Sequence, residues 1–267
     1  MKLSEVKQRL RKAGIENAIG ESILLFRHFT NIPDYALRID DPECNSEALD
    51  DAVSRREKRE PLQYILGECP FFDEVYFVSP SVLIPRQDTE ILVEEILRRL
   101  PSGGKLLDLC TGSGCIALST LLHSEDTEAV LVDLSQEALE VAKRNREKYA
   151  LTQRSTLLTM DILKDFPDGQ FDIIASNPPY IPEEVYQTLE KEIFAEPKMA
   201  FVADEEGMLF YRIILEHGRP HLKEGGVFAF EIGYDQEEKI KALASMYSLK
   251  AEVIYDLSGN PRVAIVH

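Results

Sequence analysis

The sequence predicts a doubly wound α/β sheet of seven strands, mostly parallel with a C-terminal antiparallel hairpin, preceded by a small all-α domain. Three observations carry this. From residue 105 onward, short apolar runs alternate with segments of helical periodicity, the pattern of a parallel sheet with helical crossovers. The last two apolar runs are separated only by Leu257-Ser-Gly-Asn-Pro261, too short for a crossover helix, so they pair as a hairpin. Residues 3 to 60 repeat apolar positions at helical spacing, and a chain of 267 residues has room for one large and one small domain.

Taken in order, Leu3, Val6 and Leu10, then Ile23, Leu24, Phe26 and Phe29, then Leu49 and Val53, mark four or five helices interrupted at Gly14, Gly20, Pro33 and Pro42. This helical domain is expected over 1–70. The charged run Arg55-Arg-Glu-Lys-Arg59 reads as a solvated helix face in preference to a binding patch, because acids are interleaved. Residues 71–84 alternate apolar and polar, predicting two short strands around Ser79-Pro-Ser81 and a hairpin that links the domains. The remaining 85–267 form the α/β domain. A helix is expected near 88–100, with strands near 105–110, 128–133, 155–160, 171–176, 226–232, 249–255 and 262–267. Further helices are expected near 114–123, 135–149, 207–222 and 235–246.

Composition narrows the function. The net charge of −17 is spread over both parts, so neither has the basic excess with which proteins grip duplex nucleic acid. Cys44, Cys69, Cys110 and Cys115 form no C-x-x-C pair and no zinc spacing, which suits reduced thiols in a cytoplasmic protein and predicts no metal. The N-terminus lacks a signal-peptide core, and no apolar run approaches the ~20 residues of a membrane span. A monomer is expected.

Two segments carry chemistry. In Leu106-Leu-Asp-Leu-Cys-Thr-Gly-Ser-Gly114 a strand runs into a glycine turn that opens a helix, and Gly112 and Gly114 permit close approach of backbone to ligand. About 20 residues later the next strand ends in Asp133, where a carboxylate can accept both ribose hydroxyls. Asp161 ends the third strand, where such folds contact adenine, with Ile162 placed to cover the ring. Asp108 is expected near a cofactor ammonium. A nicotinamide dehydrogenase is the rival for this set, but the full G-x-G-x-x-G run is missing, since residue 117 is Ala.

The second segment is Asn177-Pro-Pro-Tyr180, just after the strand Phe171-Asp-Ile-Ile-Ala-Ser176. Its bland reading is a turn that ends a strand. Its chemical reading is a clamp for a planar amino group whose lone pair is delocalised. The Asn177 side-chain carbonyl and the Pro178 main-chain carbonyl can each accept an N–H, and Tyr180 can stack on the flat group. Pro178 and Pro179 stiffen the turn and donate no N–H. Together the segments point to methyl transfer from S-adenosylmethionine to a planar nitrogen, leaving S-adenosylhomocysteine, by direct displacement.

The strand and helix order resembles the class I methyltransferase fold. More specifically, the chain resembles the PrmC/HemK family of release factor glutamine methyltransferases. The resemblance rests on Glu60-Pro-Leu-Gln-Tyr-Ile-Leu-Gly67, Val82-Leu-Ile-Pro-Arg-Gln-Asp-Thr-Glu90, Glu196-Pro197 ahead of Asp204-Glu-Glu-Gly207, Glu231-Ile-Gly233, and Asp256-Leu-Ser-Gly259 ending at Arg262. It implies methylation of the side-chain amide in the Gly-Gly-Gln loop of class I peptide chain release factors, with the helical domain recognising the protein substrate. By position it implies cofactor contacts from Cys110, Thr111, Gly112, Ser113, Gly114, Asp133, Ile162 and Asn177, and a glutamine site at Asn177, Pro178, Pro179 and Tyr180. Arg86, Thr89 and Glu90 would form a wall of the site, although Thr89 and Glu90 equally suit helix capping. Glu196 is either near the substrate loop or an exposed charge. Cys110 departs from the family, standing where its first glycine is usual, and fits there if φ is negative. The tetrapeptide is shared with methyltransferases of adenine, cytosine and guanine amino groups, so that activity is the alternative, and an inactive cofactor-binding scaffold is a further one.

Overall fold

A computed structural model describes residues 1–30 and 32–267, with Asp34 and Arg38 described through their backbone alone. These residues form two compact units, one made of Met1–Glu68 with Glu190–Ala195 and the other of Cys69–Leu189 with Glu196–His267.

The smaller unit contains α1 (Leu3–Lys12), α2 (Ala18–Phe29), α3 (Asp34–Ile39), α4 (Glu47–Glu57) and α5 (Leu62–Leu66). The predicted apolar stripes meet in one core, with Leu3, Val6 and Leu10 against Phe26, Leu37 and Leu49. Gly20 does not interrupt a helix as expected. It lies inside the first turn of α2, where the Asn17 side chain accepts its N–H at 3.2 Å, so the start signal is the Asn cap and the glycine continues the helix. The charged run is not a simple solvated face either. Arg56 is buried, donating to Glu21 at 2.6 Å, and both Arg56 and Arg59 reach Glu192. Burying a guanidinium is costly unless such partners offset its charge, and periodicity gives no sight of a partner 136 residues away.

Near the start of the larger unit is a hairpin of β1 (Glu68–Phe71), whose first residue still counts with the smaller unit, and β2 (Glu74–Phe77). Its turn is at Phe72-Asp73, not at Ser79-Pro-Ser81. Phe72 takes a left-handed φ of 57° and reverses the chain inside what alternation presents as one strand, while 79–84 joins no sheet. Nor does the hairpin hang free as a linker. Asn145 exchanges hydrogen bonds with the Phe77 main chain at 2.6 and 3.0 Å, and the Tyr76 hydroxyl meets Ser119 at 2.6 Å.

The rest is α6 (Glu90–Arg99), β3 (Lys105–Leu109), α7 (Cys115–Leu122), β4 (Glu128–Asp133), α8 (Gln136–Lys148), β5 (Ser155–Thr159), β6 (Phe171–Ser176), α9 (Glu183–Tyr186), α10 (Leu209–Gly218), β7 (Leu222–Glu231), α11 (Glu237–Met246), β8 (Ala251–Tyr255) and β9 (Pro261–Val266). The seven strands are ordered β5-β4-β3-β6-β7-β9-β8, parallel except for β9, which runs antiparallel to both neighbours. Central strands are covered on both faces, which is why β3 and β6 read as nearly unbroken apolar runs. Leu106 and Ile173 face Leu92, Ile96 and Leu118. Leu107 and Ile174 face Tyr211, Ile214 and Ile240. No described helix is long and apolar enough to cross a membrane.

This topology positions a site. Strand order reverses at β3, the switch point where open α/β sheets bind ligands beyond the carboxyl ends of their strands. Register places Leu109 beside Val132 and Ser176, so Cys110, Asp133 and Asn177 leave the sheet together at one edge.

Candidate active site

At the end of β3 the chain enters the turn Cys110–Gly114. Gly112 and Gly114 have φ of 55° and 81°, which side chains resist. A Cβ on Gly114 would press on Leu118, Leu131 and Ala142 at 3.1 to 3.3 Å, whereas one on Gly112 would meet no protein atom within 4 Å. Gly114 therefore seats α7 against the sheet, and Gly112 leaves room above the turn. Cys110 also has a positive φ, 59°, contrary to the negative value its side chain prefers. The backbone keeps the glycine conformation although the residue has changed, at a cost of roughly 1–2 kcal/mol.

Asp133 ties this turn to the next strand. Its carboxylate accepts the N–H of Gly112 at 2.8 Å and of Ser135 at 2.9 Å, while Ser135 caps α8. Burial raises its pKa and the main-chain donors oppose that. Asp108 lies deeper. It is fully buried, accepts the Thr111 hydroxyl at 2.5 Å, and has one oxygen, Oδ1, without a partner. Burial pushes its pKa up to about 7.

Above these residues lies a mostly apolar cavity that runs from the glycine turn to Asp133 and Ile162. Of the residues predicted from sequence, Cys110, Gly112, Asp133, Asp161, Ile162, Asn177 and Pro179 line it. Ile162 is buried, and Asp161 is paired with Lys164 at 2.7 Å, which lowers its pKa. Asp108, Thr111, Ser113 and Gly114 do not line it and instead build the floor of the turn.

A second, smaller cavity is lined by Leu83, Arg86, Asn177, Tyr180, Ile181, Ala200, Phe201 and Glu231. The two cavities share Leu83, Asn177 and Ala200, so Asn177 stands in the wall between them. Pro178 is buried and lines neither.

The loop after Asn177 is held on several sides. Tyr180 and Ile181 donate their N–H groups to the Phe201 carbonyl at 3.1 and 2.8 Å. Gln236 donates from Nε2 to the Tyr180 carbonyl at 3.1 Å, while its Oε1 accepts from Gly233 at 2.9 Å. Gly207 passes so close that a Cβ there would lie 2.1 Å from the Tyr180 oxygen.

The remaining predicted residues support the cavities from behind. Glu196 is buried, accepting the Ile84 N–H at 2.9 Å and pairing with Arg86, so it is no exposed charge. Glu90 accepts the Phe72 N–H at 2.9 Å and anchors the hairpin turn. Thr89 makes no capping bond; its hydroxyl donates to Glu231 at 2.5 Å and accepts from Asn177 Nδ2 at 3.3 Å. In the sequence Glu231 stands out only as part of the Glu231-Ile-Gly233 motif. The signal for it was an acid closing the apolar run Val227-Phe-Ala-Phe230, where a strand's C-terminal end meets the site.

Comparison with known proteins identifies the family. The PrmC N-terminal domain matches residues 2–67, and the methyltransferase small domain matches residues 86–212. A bifunctional methyltransferase of Rickettsia felis is 34% identical over 98% of the chain, which spans 56% of that relative's length. A release factor glutamine methyltransferase of Caulobacter vibrioides is 35% identical, over 97% of this chain and 92% of its own. The crystal structure of a methyltransferase from Pyrococcus furiosus shares the fold, with a TM-score of 0.55 over 72% of this chain and 86% of its own at 22% identity. With a helical unit ahead of a class I methyltransferase sheet and a relative matched over nearly its whole length, the chain belongs to the release factor glutamine methyltransferase family.

Proposed function

We propose that the protein transfers a methyl group from S-adenosylmethionine to the side-chain amide nitrogen of the glutamine in the Gly-Gly-Gln loop of a class I release factor. The observation that carries this is Asn177 in the shared wall of two adjoining cavities, the larger bordered by the glycine turn, Asp133 and Ile162 and the smaller by Tyr180 and Glu231.

The residues present fit the cofactor. Gly112 leaves open space over the turn, Asp133 presents a carboxylate at the ribose end, Ile162 supplies an apolar cover, and Asp108 keeps an oxygen without a partner below the turn. When bound, the cofactor supplies an electrophilic sulfonium methyl. The chain's own work is positioning. The Asn177 carbonyl accepts one N–H of the glutamine amide, which holds the nitrogen in line and favours the positive charge developing on it. Tyr180 covers the flat amide from the smaller cavity. An amide nitrogen has negligible basicity until it is alkylated, so no strong base is needed before attack and the proton leaves to water afterwards. We assign the helical unit to recognition of the protein substrate. The free thiols of Cys44, Cys69, Cys110 and Cys115 suit a reducing cytoplasm.

The test offers methyl-labelled cofactor and the full chain to an unmethylated release factor and to duplex DNA in parallel, and locates the label by mass spectrometry. Label on the Gly-Gly-Gln amide, lost with Asn177→Ala while cofactor affinity stays, is the expected result. Label on DNA alone would overturn the reading in favour of a base amine.

A further inference from the structure

An asparagine that must present its carbonyl to a substrate has a difficulty: its two ends are nearly the same shape. Rotated by half a turn, Asn177 would present an NH₂ group to the substrate nitrogen, donor against donor. Something must fix its polarity.

We propose that Glu231, acting through Thr89, is the positioning residue that sets the direction of the Asn177 amide. The inference rests on the glutamine-methylating reading of Asn177 given above. An ionised carboxylate offers only acceptors. While Glu231 is ionised, the Thr89 hydroxyl, 2.5 Å from its Oε2, therefore spends its hydrogen on Glu231, leaving a lone pair to face Asn177. Only the Nδ2 end of Asn177 can meet that lone pair, and it does so at 3.3 Å. The carbonyl end is thereby turned away from Thr89 and left for the cavities that Asn177 lines. The other oxygen, Oε1, lies 3.5 Å from the Tyr180 hydroxyl, so one carboxylate reaches both ends of the Asn177–Tyr180 segment.

The carboxylate is itself fixed. It ends β7, where Tyr211 donates to the Glu231 carbonyl at 2.8 Å. Thr89 is buried on the 3₁₀ turn that opens α6, with nothing to cap there. Its hydroxyl has this relay as its hydrogen-bonding role, which accounts for a threonine at a helix start that makes no cap.

The experiment compares Thr89→Val, Thr89→Ser, Glu231→Gln and Asn177→Ala in the full chain, alone and with Thr89→Val combined with Asn177→Ala. Thr89→Val is expected to lower turnover about 10- to 100-fold with cofactor affinity nearly unchanged, and Thr89→Ser to recover most of that loss. Glu231→Gln, which can present either an oxygen or an NH₂ to Thr89, is expected to fall between them. In the Asn177→Ala background Thr89→Val should cost less than about 3-fold, because there is no amide left to orient. An undiminished loss in that background, or an equal loss of cofactor affinity, would overturn the relay while leaving the role of Asn177 standing. A second readout needs no substrate. In ¹⁵N-labelled protein one Asn177 side-chain amide proton should be shifted downfield by its bond to Thr89, lose that shift in Thr89→Val and regain it in Thr89→Ser. An unchanged signal in Thr89→Val refutes the relay even if the acceptor proves to be something other than glutamine.

Discussion

Replacing Gly207 by alanine should damage the acceptor loop far more than its distance from the larger cavity suggests. Gly207 has φ of 85°, so an alanine there pays roughly 1–2 kcal/mol for the left-handed conformation alone. Its methyl would also sit 2.1 Å from the Tyr180 oxygen and 2.7 Å from Gln236 Nε2. Carbon–oxygen contacts normally stay beyond about 3.3 Å, so the Tyr180 carbonyl must retreat by roughly 1 Å. That breaks its hydrogen bond from Gln236, adding about 1–3 kcal/mol for a buried group left unpaired. The total is about 2–5 kcal/mol, and a 1 Å displacement of a positioning group costs on the order of 100-fold in rate. Gly103 supplies the control. It has φ of 71°, but a Cβ there meets nothing within 4 Å, so Gly103→Ala pays only for the backbone. The assay is thermal unfolding of both variants, followed by single-turnover methyl transfer at saturating cofactor below the transition. If Gly207→Ala matches Gly103→Ala in both, the close approach to Tyr180 does not organise the site and the reasoning fails.

Three further outcomes follow from the same structure. Asp108 has a folded-state pKa raised by burial to about 7, so its stability contribution is full below about pH 4 and is lost as pH rises toward 7. Asp108→Asn should accordingly gain on the wild type by on the order of 2 kcal/mol between pH 5 and pH 8, read by denaturant titration, and a constant difference would contradict the buried charge. Glu231 is likewise raised to about 7 by burial and by Asp88, against Arg262, Thr89 and Tyr180, which favour its ionised form. Turnover should rise with pH through this region as the carboxyl loses its proton, and the limb should flatten in Thr89→Val. Glu196→Ala strands the Ile84 N–H and frees Arg86 beside the smaller cavity. A loss of about 1–3 kcal/mol in unfolding free energy with a raised KM for the acceptor is expected, and an unchanged KM would assign Glu196 to stability alone.

Local physics made much of this legible. Strands buried on both faces announce themselves as apolar runs, and β4 and β6 begin and end where the sequence suggested. The glycine turn, Asp133 and Asn177 were readable because each follows an apolar run directly, and the parallel register carries them to one edge. What escaped depended on partners distant in sequence. The reversal at Phe72 is secured by Glu90, the burial of Arg56 by Glu21 and Glu192, and the use of Thr89 by Glu231, 142 residues away. The irregular stretch after Tyr180 has no period to read. Its order comes from main-chain bonds to Phe201 and from a glycine chosen for close approach.

The segment Glu190–Ala195 belongs with the helical unit although the residues on both sides belong with the sheet. The polypeptide therefore crosses between the units three times, at 68/69, 189/190 and 195/196, as a thread stitched through and back. A cut at the first crossing would leave Arg56 and Arg59 still paired with Glu192, a residue of their own unit that reaches them from far along the chain. The first residue after the last crossing is Glu196, which holds Arg86 beside the smaller cavity. Truncating the helical unit thus removes more than a run of helices: it takes away the partners of Glu192, four residues ahead of Glu196. The role proposed for the helical unit is better probed by recolouring exposed helix faces than by shortening the chain.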